Sequence, residues 1–291
     1  RTLEAAQRDH GARLSPANSL QLRVARGTAR LSVNRIDDSR RICEWIAREP
    51  LDGFTFALQV RALRLLVRER QADRRADASL TAAIHRWRDT AVRLYGEESL
   101  EAAKAYEYMV DTTDDRAEQD ALVARAYAIH HAKLPAVSME RAHAEFNTGH
   151  FLVEYREDHV RAEPYFARSV DIGRRLNGRG HADVLRFELG WARALNALGQ
   201  HARCLEALSD PPELPEDESD AARLGNLRLA LAEAATAQGL HARATAEIAA
   251  IQRMWTRLGR AAPDKQAAQM RRFVAPAPGS AMPRPPPGPA R

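Results

Sequence analysis

Large and small apolar positions recur at helical spacing on either side of glycine turns in this chain. Trp191, Ala192 and Leu195 precede Gly199, and Cys204 and Leu208 follow it. Around Gly239 the matching positions hold Leu231, Ala232 and Ala235, then Ala244 and Ile248. The order large, small, apolar, turn, small, large predicts two helices meeting through small residues. The turn is itself echoed: Gly199-Gln200-His201-Ala202-Arg203 returns 40 residues later as Gly239-Leu240-His241-Ala242-Arg243. Glycine there supplies the left-handed backbone that ends a first helix at little steric cost. An echo at fixed distance predicts a repeat architecture.

A third copy lies upstream, with Gly149 small, Leu152 apolar, and Ala162 and Phe166 in the second helix. Its turn, Arg156-Glu157-Asp158-His159, lacks glycine and carries one extra residue. The spacers repeat as well: Arg93-Leu94-Tyr95-Gly96 before Ser99 parallels Arg175-Leu176-Asn177-Gly178 before His181, 82 residues on, or two units of about 41. Small-residue contacts, a glycine turn and this period resemble the tetratricopeptide repeat. Gly178-Arg179-Gly180-His181-Ala182-Asp183-Val184 is similar to the Gly-x-x-His-Pro-x-Val linker of the longer, kinesin-light-chain-like repeats, with Ala182 in place of Pro. Asn147 then matches the second residue of that family's Asn-Asn pair, and Phe146 stands where the first would be.

The expected fold is all-α, a right-handed α-solenoid of about six helix pairs at roughly 16–50, 51–96, 97–138, 139–180, 181–219 and 220–260. Residues 1–15 read as the remnant of a preceding helical repeat, 16–138 as degenerate repeats and 139–260 as better-defined ones. The chain reads as starting inside a longer protein. Residues 211–218 form an acidic, Pro-containing loop between units, and 261–291 are expected to be a disordered Pro-rich tail. No alternating β-type run competes with this reading.

Composition narrows the function classes. The net charge is +5, and Arg supplies all cations except Lys104, Lys133 and Lys265. Most arginines are interleaved with acidic residues, so no one-sided basic face is offered to a nucleic acid. Cys43 and Cys204 lie far apart in helical patterns, which predicts buried small residues and no disulfide framework or zinc site. No apolar stretch is long enough to span a bilayer. The expected compartment is the cytoplasm, with the periplasm open to a chain carrying an upstream membrane anchor.

The search for chemistry returns little. Phosphate-loop, nucleophile-elbow, zinc-protease and protein-kinase motifs are absent from the sequence. Asp52 reads as an N-terminal cap. His143 and His150 share a helix face, but two turns place them about 10 Å apart along the axis, long for two ligands of one metal without a further residue between, and Glu154, four beyond His150, could join it. His201 and His241 are expected to pack around their turns. No enzyme activity, cofactor or metal is expected.

Resemblance to tetratricopeptide arrays implies that first helices line a concave groove for extended peptides or partner helices. The groove positions are His143, Phe146, Asn147, His150 and Glu154, continuing through Arg186, Arg193 and Asn196 to Asn226 and Glu233. Asn can donate to and accept from a peptide backbone, and Arg can clamp a carboxylate. The resemblance extends to the C-terminal sensor or scaffold regions of bacterial signalling proteins, among them Ser/Thr protein kinases and winged-helix regulators. The expected role is non-catalytic binding of a protein or peptide. The alternatives are a regulator's solenoid that reads a peptide signal and a module for self-assembly into homo-oligomers.

Overall fold

Glycine and its substitutes set where the helices of this chain end. The computed structural model describes residues 78–273, which fall in two compact units divided between Lys133 and Leu134. All regular structure among the described residues is helical: ten α-helices and two short 3-10 turns. The repeat units proposed for 1–50, Cys43, Asp52 and the tail beyond 273 lie outside the described residues.

The first unit contributes α1 (Ala78–Tyr95), α2 (Leu100–Met109) and α3 (Arg116–Lys133). Gly96, at φ 84°, ends α1, and Ser99 caps α2 by accepting from the Ala102 amide. Trp87, Ile84 and Ala91 of α1 are buried with Ala102, Ala105 and Tyr106 of α2. The first helix of this pair is short because a 3-10 turn, Val110–Thr112, intervenes. Buried Gln119 of α3 ties that turn down, donating to the carbonyls of Val110 and Thr113.

The second unit runs α4 (Met139–Arg156), α5 (His159–Asn177), α6 (Ala182–Ala197), α7 (His201–Ala207), α8 (Ala221–Ala237), α9 (His241–Arg257) and α10 (Asp264–Met270). Successive helices from α4 to α9 pack on one another, α6 also packs on α4 and α8, and α10 packs on α8. Both echo glycines take left-handed backbone, Gly199 at φ 67° and Gly239 at φ 71°. At the first, the Gln200 amide reaches the Leu195 carbonyl and the Gly199 amide that of Asn196, satisfying two orphan carbonyls. Leu240 and Gly239 repeat the pattern on Ala235 and Thr236. The third turn makes the same reversal without glycine: Glu157 sits at φ 52°, and Asp158 then caps α5 through the Arg161 amide.

Small residues admit aromatic rings. A Cβ on Gly149 would stand 3.1 Å from Phe166, and one on Gly190 2.9 Å from Phe146 and 3.0 Å from Phe166. Ala192, Leu195, Ala232, Leu231, Ala235 and Cys204 are all fully buried, as the large-small order predicts. The echo's arginines do more than pack around their own turns. Arg203 pairs with Glu163 at 2.8 Å and Arg243 donates to the Leu205 carbonyl at 3.0 Å, so each reaches the second helix of the preceding pair.

Two expectations need correction. His201 is half-buried with Nδ1 3.3 Å from Asn196 Oδ1, whereas His241, at the matching place, is exposed. The segment after 260 does not lack structure throughout. Its α10 buries Gln266 and Met270 on the end of the array. Gln266 accepts from the Trp255 indole at 2.7 Å and donates to the Ala222 carbonyl and the Asn226 side chain. Three hydrogen bonds around one amide offset the ordering of a short helix that composition alone would leave unfolded.

Candidate functional site

On α4, His143, Asn147, His150 and Glu154 follow the spacing that puts side chains on one helix face. Asn147, His150 and Glu154 are exposed there, with His150 3.9 Å from Glu154. Arg193 on α6 and Glu233 on α8 are exposed as well. Arg193 pairs with no carboxylate among the described residues.

Where α4 meets α6, a polar cluster sits over aromatic rings. Arg186 Nη2 donates to His143 Nδ1 at 2.6 Å. Arginine can only donate, so this bond makes Nδ1 the acceptor and leaves the ring proton on Nε2. That nitrogen faces Asp183 Oδ2 at 3.4 Å. The Arg186 guanidinium lies 4.7 Å from the Phe146 ring centroid and 5.4 Å from that of Phe187, a cation–π arrangement over a largely desolvated surface. Burial pushes the His143 pKa below its usual value, opposed by the Asp183 charge and assisted by that of Arg186. The cluster therefore holds a neutral imidazole between an acid and a base.

Three of the expected groove residues serve the packing. Phe146 is 7% exposed because Gly190 leaves room for its ring, which packs at a tilt against those of Phe166 and Phe187. Asn196 donates to the Ala230 carbonyl of α8 at 2.8 Å. Asn226 accepts from Gln266 of α10 at 3.0 Å. His143 and Arg186 are half-buried, committed to each other across two helices. Five positions remain as an exposed row: Asn147, His150, Glu154, Arg193 and Glu233.

Asp183 and Phe187 join the site although neither was singled out for it. Asp183 lies in the linker motif and stands one helical turn from Arg186, a spacing visible in the sequence. The aromatic floor was not legible, because it depends on which residue of the neighbouring helix is glycine.

No family model and no curated protein matches the sequence. Among solved structures, the fold is similar to that of BtubC (BKLC) from P. vanneervenii, with a TM-score of 0.53 and 18% identity, over 84% of this chain and 94% of that one. Among the described residues, no helix is long and apolar enough to cross a membrane. The likeness concerns the fold, and with the helix pairs above it makes this chain an all-α helical-repeat protein.

Proposed function

We propose that the second unit is a binding scaffold that takes an extended protein segment along the exposed face of α4, α6 and α8. The observation that carries this reading is the row Asn147, His150, Glu154, Arg193 and Glu233, polar and exposed on helices fixed by a packed core. Asn147 offers a donor and an acceptor to a peptide backbone whatever its sequence. Arg193 is an open cation for a carboxylate of the ligand. The Arg186–His143–Asp183 cluster positions α4 against α6, and so sets the spacing of the row.

The proposed setting is the cytoplasm, within a signalling protein of the kind the repeats resemble, such as one with a Ser/Thr kinase or a winged-helix domain. On that reading the segment recruits or senses, and any catalysis or DNA binding belongs to another domain.

Selection of a random peptide library on the full chain tests the reading. Selected peptides should lose at least tenfold in affinity to Asn147→Ala combined with Arg193→Ala. They should be unaffected by Arg175→Ala, on the exposed side of α5. Peptides indifferent to the paired substitution, or none selected, would overturn it.

A further inference from the structure

In the second unit, the segment after α7 reaches α9 at Glu213 and borders an open cleft of about 200 Å³. None of the ten expected groove residues lines it. Its rigid wall is built by Arg228 of α8, only 6% exposed. One Arg228 nitrogen pairs with Glu247 of α9 at 2.7 Å, and another donates to the carbonyls of Pro211 and Pro212 at 3.1 and 2.8 Å. Those bonds pin the Pro segment, and with it the position of Glu213.

The mouth of the cleft is rich in cations. Arg253 and Arg257 line it from α9, one turn apart, where like charges repel unless an anion lies between them. A single exposed carboxylate answers them: Glu213 Oε2 stands 2.5 Å from Arg257 Nη1. Arg253 is exposed and makes no ion pair among the described residues. The hydrogen bond and charge of Arg257 hold the Glu213 carboxyl below the usual range, with Arg253 and Arg228 adding to the effect. The field here favours an anion.

Charge matching gives the class of ligand. Arg228, Arg253 and Arg257 against Glu213 and Glu247 leave the cleft one charge positive. With the loop carboxylate displaced it becomes two charges positive, the complement of a phosphate dianion. An exposed carboxylate–guanidinium pair is weak and easily exchanged for a better one, whereas two or three guanidinium groups can share the oxygens of one phosphate. We propose that this cleft is an oxyanion site for a phosphate monoester or free phosphate, with the Glu213 carboxylate as its built-in competitor. The Met254 side chain supplies an apolar wall beside the charged groups.

Calorimetric titration of the full chain at low salt tests this, with inorganic phosphate, a short phosphoserine peptide and its unphosphorylated form as probes. Both phosphate-bearing probes should bind and the unphosphorylated peptide should not. Equal binding of the two identifies free phosphate as a sufficient ligand, and tighter binding of the peptide identifies a phosphorylated side chain. Glu213→Gln should tighten binding by about threefold, since it removes a weak competitor. Arg253→Gln should weaken it by about tenfold through loss of a charge-assisted contact. Both substitutions fall at exposed positions, and unchanged amide-exchange protection across α8 and α9 will show that the fold is kept. Failure of wild type and Glu213→Gln alike to bind millimolar phosphate or the phosphopeptide overturns the proposal. So does Glu213→Gln that binds no tighter, or Arg253→Gln that binds as well as wild type. The Asn147→Ala, Arg193→Ala chain should bind phosphate normally, which separates this site from the exposed row.

Discussion

Glu188 offers the most demanding test of how the second unit is held together. It is fully buried on α6, and its Oε1 takes the guanidinium of Arg174 at 2.6 Å and that of Arg179 at 2.8 Å. Both arginines then reach onward. Arg174 donates twice to the Ala207 carbonyl at 3.1 Å, and Arg179 donates to the carbonyls of Ser209 and Asp210. One carboxylate thereby fixes the chain as it leaves α7. Glu188→Gln keeps the shape and removes the charge. Breaking a fully buried pair by removing one partner costs about 3–5 kcal/mol. The two arginine side chains here are 27% and 26% exposed, so rehydration recovers part of that. A net loss of about 2–3 kcal/mol is expected.

Because the chain forms two compact units, a single unfolding midpoint would mix them. Amide exchange read peptide by peptide avoids the mixture. In Glu188→Gln, protection across α6 and α8 should fall by about 30- to 150-fold, the equivalent of that energy. The amides of 207–210 should lose at least as much. Arg175→Gln, which breaks the exposed Arg175–Asp171 pair, should change little, about 0.5 kcal/mol or less. If Glu188→Gln matches wild type to within that margin, the network is not a clamp and the reasoning fails.

Three further outcomes follow from local geometry. Glu157→Gly should stabilise the second unit by about 0.5–1 kcal/mol, the relief of a left-handed non-glycine residue less the added freedom of the unfolded chain; equal or lower resistance to urea would refute this. His143 has its pKa lowered in the fold by burial, so the unfolded chain binds more protons below about pH 6.5 and stability is lost as pH descends from there. His143→Gln keeps an acceptor for Arg186 and a donor for Asp183, and should flatten that loss between pH 7.5 and 5; parallel melting curves for the two chains would contradict it. Burial pushes the Cys204 thiol up to about 12, so a Cys43→Ser chain should react with a thiol reagent at pH 8 only once urea unfolds it.

Much of the fold was legible because repeats restate their own register. Gly199 and Gly239 take the left-handed backbone that their place in the echo requires, and Gly149 falls where the Phe166 ring must enter. The site was less legible, for a physical reason. A helical face is read from one helix at a time, whereas exposure depends on the neighbour. Phe146 lies in register with Asn147 and His150, yet Gly190 on α6 draws its ring inward. Asn196 and Asn226 have the right residue type for a peptide groove and spend it on Ala230 and Gln266. The helix α10 was missed because seven residues carry too short a pattern, and its docking depends on Gly225, where a Cβ would overlap the Gln266 amide.

The echo's two polar residues separate what a repeat conserves for itself from what it spends on coupling. Arg203 and Arg243 occupy the same place and do the same work by different chemistry, one on a carboxylate and the other on a backbone carbonyl of the preceding second helix. Either contact ties one pair to the one before it. Stability in such an array is the sum of each pair's own stability and the couplings between neighbours. The couplings here include arginine contacts at Glu163, Leu205 and Glu188 beside the aromatic packing of Phe146 and Phe166 against Phe187 and Gly190. Arginine thus serves in this unit as a bridge between helix pairs. Its guanidinium forks bridge helices while its stems cover them, whereas Arg193 on the exposed row and Arg253 at the cleft make no ion pair among the described residues and stand open to a ligand.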